Sequence, residues 1–135
     1  MNRRANYSIF MQDEIIRKTD EWQKLSLWDV LQLFFPYDTN RKQLECANKL
    51  MRKLLEEKEL DSTAMGSLLE DADYRAVVHV VIPKLESFGL LKVNGQRGRG
   101  KSYKLELSDK FSDRLRHIGM QWFRIYSKYG DPYGG

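Results

Sequence analysis

The chain holds a single cysteine, Cys46, so no disulfide can close within it, and it has no Cys-x-x-Cys pair to grip zinc. No apolar run approaches the ~18 residues of a membrane span. The opening run "MNRRANYSIFMQDEII" carries early cations, but its apolar stretch breaks at Gln12, Asp13 and Glu14, too soon for a secretory signal. These absences point to a reducing, cytoplasmic setting. Histidine is scarce as well. His79 and His117 have no neighbours in sequence that suggest a metal or a general base, and neither a nucleophile elbow nor a pair of carboxylates at acid–base spacing is present. The glycine-rich stretch near residue 98 is read as a hairpin tip and not as a nucleotide-phosphate loop. No enzyme activity, cofactor or metal is expected.

What is present is a chain of 135 residues, 41% hydrophobic and 31% charged, long enough for one domain with a core. The net charge of +4 is a mild excess that permits a polyanionic partner, so the placement of the cations matters more than their sum.

Residues 8–25 read as a first helix with Ile9, Phe10, Ile16 and Trp22 among its apolar positions. Ser26, with Asp29 three residues on, has near capping-box spacing and opens a short segment that Pro36 stops. Asp38 or Thr39 is expected to cap a helix over about 40–58. There Leu44, Ala47, Leu50, Met51, Leu54 and Leu55 recur at helical spacing, with Cys46 as a small core or boundary residue. The acidic "EEKELD" reads as the solvated end of that helix. Ser62 or Thr63 caps a short helix to Leu69, "EDAD" is a tight turn, and Asp73 caps a helix to about Phe88 with Val78, Val81, Ile82, Leu85 and Phe88 inward. Pro83 should kink this helix and Gly89 should end it. Leu91 and Val93 start a strand, and Tyr103, Leu105 and Leu107 alternate in its return strand. Closing the hairpin at Asn94-Gly95 would force Gly98 and Gly100 into a strand, so a longer loop is expected. Ser108 caps a final helix to about Lys128.

Helix, short helix, turn, helix, strand, basic loop, strand, helix resembles a winged helix-turn-helix. The residues that carry the resemblance are "IPKLESFGLLKV" and "GRGKSYKLELSDKF", which look like the recognition-helix end and wing of MarR-type and related archaeal and bacterial regulators. Leu85, Glu86, Gly89 and Leu90 match the helix end; Leu107, Ser108 and Phe111 match the step out of the wing. The resemblance implies an α+β fold, mainly helical with a small hairpin. Residues 1–39 would be an N-terminal helical extension, 40–108 the winged core, 109–129 a C-terminal helix and 130–135 a flexible tail. It also implies duplex DNA as partner. Arg97, Arg99 and Lys101 would meet phosphates from the wing, while Tyr74, Arg75, His79 and Lys84 would face the groove. Val77 and Val80 are odd for a groove-reading face, and relatives usually carry polar residues where Val80 and Pro83 sit.

Phe111, Leu115, Ile118, Trp122, Ile125 and Tyr129 fall on one stripe with steps of 4 and 3, and Met120, Phe123 and Tyr126 add a second strip. Two coverings are open: the N-terminal helices of the same chain, or a second copy in a homodimer. The functional expectation is a sequence-specific DNA-binding transcriptional regulator. The alternatives are a winged helix used as a protein-interaction module and a DNA-coating or replication-associated protein without sequence preference.

Overall fold

A computed structural model describes residues 8–68, 71–95 and 102–129. The fold is mainly helical with one small antiparallel sheet. Helix α1 spans Asp13–Asp20, α2 Leu27–Leu31 and α3 Tyr37–Glu57. Strand β1 (Glu59–Asp61) leads into α4 (Ser62–Leu68) and α5 (Asp71–Ala76). A π-helical turn, Val77–Val81, joins α5 to α6 (Ile82–Phe88). The hairpin β2 (Leu91–Gly95) and β3 (Tyr103–Leu107) follows, and then α7 (Lys110–Tyr129). The sheet order is β1-β3-β2, with Leu60 opposite Leu105 and Val93 opposite Leu105 on its other side.

The N-terminal segment differs from the continuous helix expected. Helix α1 covers only eight residues, Ile9 and Phe10 precede it outside any helix or strand, and Ile15 rather than Ile16 is the buried position. Trp22 lies beyond the helix end with φ of 55° and stands 94% exposed. The capping box at α2 forms as its spacing predicts: the Ser26 hydroxyl accepts from the Asp29 N–H, and the Asp29 carboxylate accepts from the Ser26 N–H. Pro36 then serves as the N-cap of α3, ahead of the expected Asp38 or Thr39, because a proline can open a helix whose first donors are unpaired anyway. Asn40 departs from helical angles and kinks the first turn.

Only Glu56 and Glu57 of "EEKELD" are the solvated end of α3. Lys58 takes a left-handed conformation (φ 73°), stops α3, and turns Glu59–Asp61 into the third strand. Leu60 alternates inward between exposed Glu59 and Asp61. Asp73 likewise sits inside α5 and not at its cap, buried and paired with the Lys42 ammonium at 3.0 Å.

Pro83 explains the break in the next helix. It cannot donate to the carbonyl four residues back, and its ring crowds that carbonyl. The turn before it widens: the Ile82 N–H bonds to Val77 O, five residues back, and α6 restarts with Pro83 in its first turn. The inward positions differ in part from those expected. Val77, expected to face out, is fully buried, whereas Val78 and Phe88 are only partly covered. Gly89 ends α6 at φ 90°, where a Cβ would lie 2.9 Å from both Lys110 Cβ and Phe111 N, so the start of α7 presses on this glycine.

One contiguous core holds the elements together. Ile15, Leu31, Phe34 and Phe35 from the first 35 residues share it with Leu44, Leu50 and Leu54 of α3, Val77 to Leu85 across the π turn, and Leu91 and Leu105 of the sheet. The described N-terminal segment is therefore part of the core. Phe34 packs on Phe88 and Phe111 with ring centroids 4.7 and 5.3 Å away, joining α2, α6 and the root of α7. Cys46 is buried in α3, and burial pushes its thiol pKa up.

Candidate nucleic-acid interface

The outer face of α5 and the π turn presents Arg75 and His79, four residues apart and both exposed, with the 39% exposed Val80 beside them. Ala76 and Pro83 are half-buried on the same side of the segment. The Tyr74 side chain lies outside the described residues. Arg75 and His79 thus form a small exposed donor pair at i, i+4 spacing.

Lys84 departs from the expected outward position. Its ammonium donates to Phe34 O at 2.6 Å and stands 5.3 and 5.2 Å from the ring centroids of Phe10 and Phe35. Burial pushes its pKa below the usual lysine value. The side chain is a strut between α6 and the N-terminal segment, held by a charge-assisted bond and by attraction to the ring faces. No spacing in the sequence signals this contact, which spans fifty positions.

The hairpin is nearly balanced over its described part. Lys92 pairs with Glu106 at 3.4 Å, Lys104 with Glu59 at 3.3 Å, and the Asn94 amide donates to Glu106 at 2.6 Å. Strand pairing continues through Asn94 opposite Lys104 to Gly95 opposite Tyr103, so Asn94-Gly95 does not close the hairpin as a two-residue turn. Arg97, Arg99 and Lys101 lie outside the described residues. Beside the loop, Asp61, Ser62, Thr63, Asn94, Ser102 and Lys104 line a polar cleft where β1 meets the hairpin tip. The Ser62 hydroxyl there accepts from the Tyr103 N–H at 3.3 Å.

No known protein family, curated protein or solved structure matches the chain. Its chemistry therefore rests on the residues themselves. Gly95, Gly100, Lys101 and Ser102 have the spacing of a nucleotide-phosphate loop, Gly-x-x-x-x-Gly-Lys-Ser, a signal the hairpin reading passed over. That motif works when a strand precedes it and a helix follows, so that the helix N-terminus meets the phosphates. Here β3 follows directly and returns antiparallel to β2, so no helix N-terminus is offered. Among the described residues no group of three or more His, Cys, Asp or Glu side chains could hold a metal ion, and no helix is long and apolar enough to cross a membrane.

Of the stripe on α7, Phe111 packs under Phe34 and Phe88, and Arg114 donates to Ser87 O at 2.6 Å. Leu115, Ile118, Trp122, Ile125 and Tyr129 are exposed. The N-terminal helices do not cover them, since no residue of α7 is buried.

Proposed function

We propose that this chain is a winged helix-turn-helix protein that binds duplex DNA in a sequence-specific manner and acts as a transcriptional regulator. The observation that carries the reading is the order α3, β1, α4, α5–α6, β2, β3 combined with β1 pairing on β3. A third strand beside the hairpin, followed by a short helix and then a presented helix, is the arrangement that leaves one helix and one loop facing the same partner. Arg75 and His79 are the groove-facing donors. Arg97, Arg99 and Lys101 are the phosphate contacts, because the hairpin's other cations, Lys92 and Lys104, already have carboxylate partners.

The test uses a selected duplex and a random one at several salt concentrations. Each phosphate that is no longer neutralised should lower the slope of log affinity against log salt by about 0.9. Arg97→Ala with Arg99→Ala should therefore weaken both complexes and flatten both slopes, since the backbone is the same on each. Lys84→Met, at a side chain turned inward, should leave both slopes as they were. Unchanged slope and affinity in the double variant would remove the wing, and most of the DNA reading with it. Equal affinity of the unmodified chain for both duplexes would leave a coating protein in place of a regulator.

The exposure of Val80 beside Pro83 favours a second reading, in which this face docks on a protein. That reading predicts no salt-dependent binding to either duplex.

A further inference from the structure

Helix α7 projects from the body after Arg114 with an apolar face that nothing in the described chain covers. From Leu115 to Tyr129 eight large apolar side chains stand 41–68% exposed. Burying one aromatic side chain covers roughly 150–250 Å², so this one helix offers an area on the order of the 800 Å² per partner of a specific interface. That exceeds the roughly 300–600 Å² of the largest apolar patch on an ordinary monomer.

Three observations identify the occupant. The stripe Phe111, Leu115, Ile118, Trp122, Ile125, Tyr129 keeps steps of 4 and 3 along the whole helix, the spacing of a seam against another helix. A lipid surface needs only an apolar side, without that repeat. Next, Gly119 sits near the middle of α7, where glycine costs a helix about 1 kcal/mol relative to alanine. A Cβ there would meet nothing within 4 Å, so no described neighbour in this chain calls for glycine. Close approach of a second backbone would. Finally, the second apolar strip, Met120, Phe123 and Tyr126, is confined to the outer half of the helix. Ser112, Asp113 and Arg116 hold the corresponding positions near the root.

We infer that α7 pairs with α7 of a second copy, antiparallel, with the two Gly119 positions flanking the seam where the helices cross and Gln121 on the other flank. In that register Trp122 faces the partner's Ile118, Leu115 faces the partner's Ile125, and the outer half of each helix lies over the root of the other. The outer strip then meets the partner's body. A parallel pair would bring both bodies to one end of helices only 8–10 Å apart. It would also leave the first seam position without a partner, because Phe111 is already committed to Phe34 and Phe88. The polar side of α7 carries Lys110, Arg114, Arg116, Arg124 and Lys128 against Asp113 alone. Two such helices repel at low ionic strength, so added salt tightens the dimer. The assembly does not depend on the DNA reading, and its test contains no nucleic acid.

The experiment is sedimentation equilibrium of the full chain at micromolar concentration. A dimer is expected, with a dissociation constant that falls at least several-fold between 50 and 500 mM salt. Ile118→Glu should give a monomer whose far-UV spectrum and core melting are unchanged, and Gly119→Leu should weaken the dimer at least tenfold. Because Cys46 is buried, single introduced cysteines report orientation. Gln121→Cys, which faces its own copy across the two-fold, should form a disulfide-linked dimer on oxidation, and Tyr129→Cys should not. A monomer at every salt concentration overturns the proposal, as does a dimer unaffected by Ile118→Glu. Linkage through Tyr129→Cys but not Gln121→Cys overturns the antiparallel register. A monomer that co-sediments with anionic phospholipid vesicles, and leaves them as salt is raised, gives the face to a lipid surface instead.

Discussion

Two single residues, Asp29 and Lys84, tie the N-terminal segment down, and both do so with a charge taken mostly out of water. Asp29 is 6% exposed. Burial alone would push its carboxyl up, but the Ser26 N–H and the Lys18 ammonium, 3.0 Å away, outweigh that and hold it below the usual carboxylate value. A depressed folded pKa contributes stability that is complete above the unfolded value and is lost as pH falls through the folded one. Asp29→Asn should therefore cost about 1 kcal/mol at neutral pH, where it removes a cap and an ion pair. The deficit should shrink below about pH 4, as the unmodified carboxyl itself protonates. Urea melts at pH 7 and pH 3 check this; a deficit equal at both would mean that shape and not charge is what the site uses. Lys84 works in the opposite electrostatic sense, an ammonium spent on a carbonyl and two rings, and this removes a cation from the surface where one was expected.

Besides the shortened first helix, the three-residue strand β1 differs from its sequence pattern, and the break expected at Pro83 takes the form of a π turn. The strand matters because it turns a hairpin into a sheet. Leu60 is 5% exposed and lies against Leu105. A buried leucine cut to alanine typically costs roughly 2–5 kcal/mol, whereas a leucine at a solvated helix end would cost well under ~1 kcal/mol. Leu60→Ala should fall in the first range by chemical denaturation, and a loss in the second would return "EEKELD" to a helix terminus. The π turn covers Val77–Val81, with Val77 and Val81 buried and His79 exposed on the same side as Arg75, four residues before it.

Across the whole molecule, the aromatic trio Phe34, Phe88 and Phe111 joins the N-terminal segment, the presented helix and the root of α7. An N-terminal extension separate from the core would melt by itself. The shared core predicts one transition instead, seen alike by tryptophan fluorescence and far-UV circular dichroism. Phe34→Ala should lower stability by roughly 3–5 kcal/mol and keep the transition single. An early, separate loss of tryptophan signal would divide the molecule after all. Anchoring α7 at its root while leaving the rest bare has a further effect: the helix leaves the body in a set direction, so whatever covers its seam is held at a defined distance from the presented face.

The main helices, the paired strands and the ends marked by Ser26 and Gly89 were legible in the sequence because each depends on neighbours a few residues away. Apolar spacing, a capping side chain, a missing donor and a missing Cβ are local causes, and their effects are local too. The stripe on α7 was legible for the same reason. The rest depended on distance. Glu59–Asp61 is a strand only because β3 offers it an edge, with forty-five positions between Glu59 and Lys104. Lys84 turns inward only because Phe34 O and two rings stand where its ammonium can reach. Val77 is buried with Val81 and Leu85, four and eight positions on, so helical spacing allowed it as an inward position; the core around α3 and the sheet decided that Val77 rather than Val78 is the more deeply covered. Sequence periodicity located the surfaces, but tertiary contacts decided which cations remain on them, because a lysine pattern records where a charge starts and not where a flexible side chain finds its best partner.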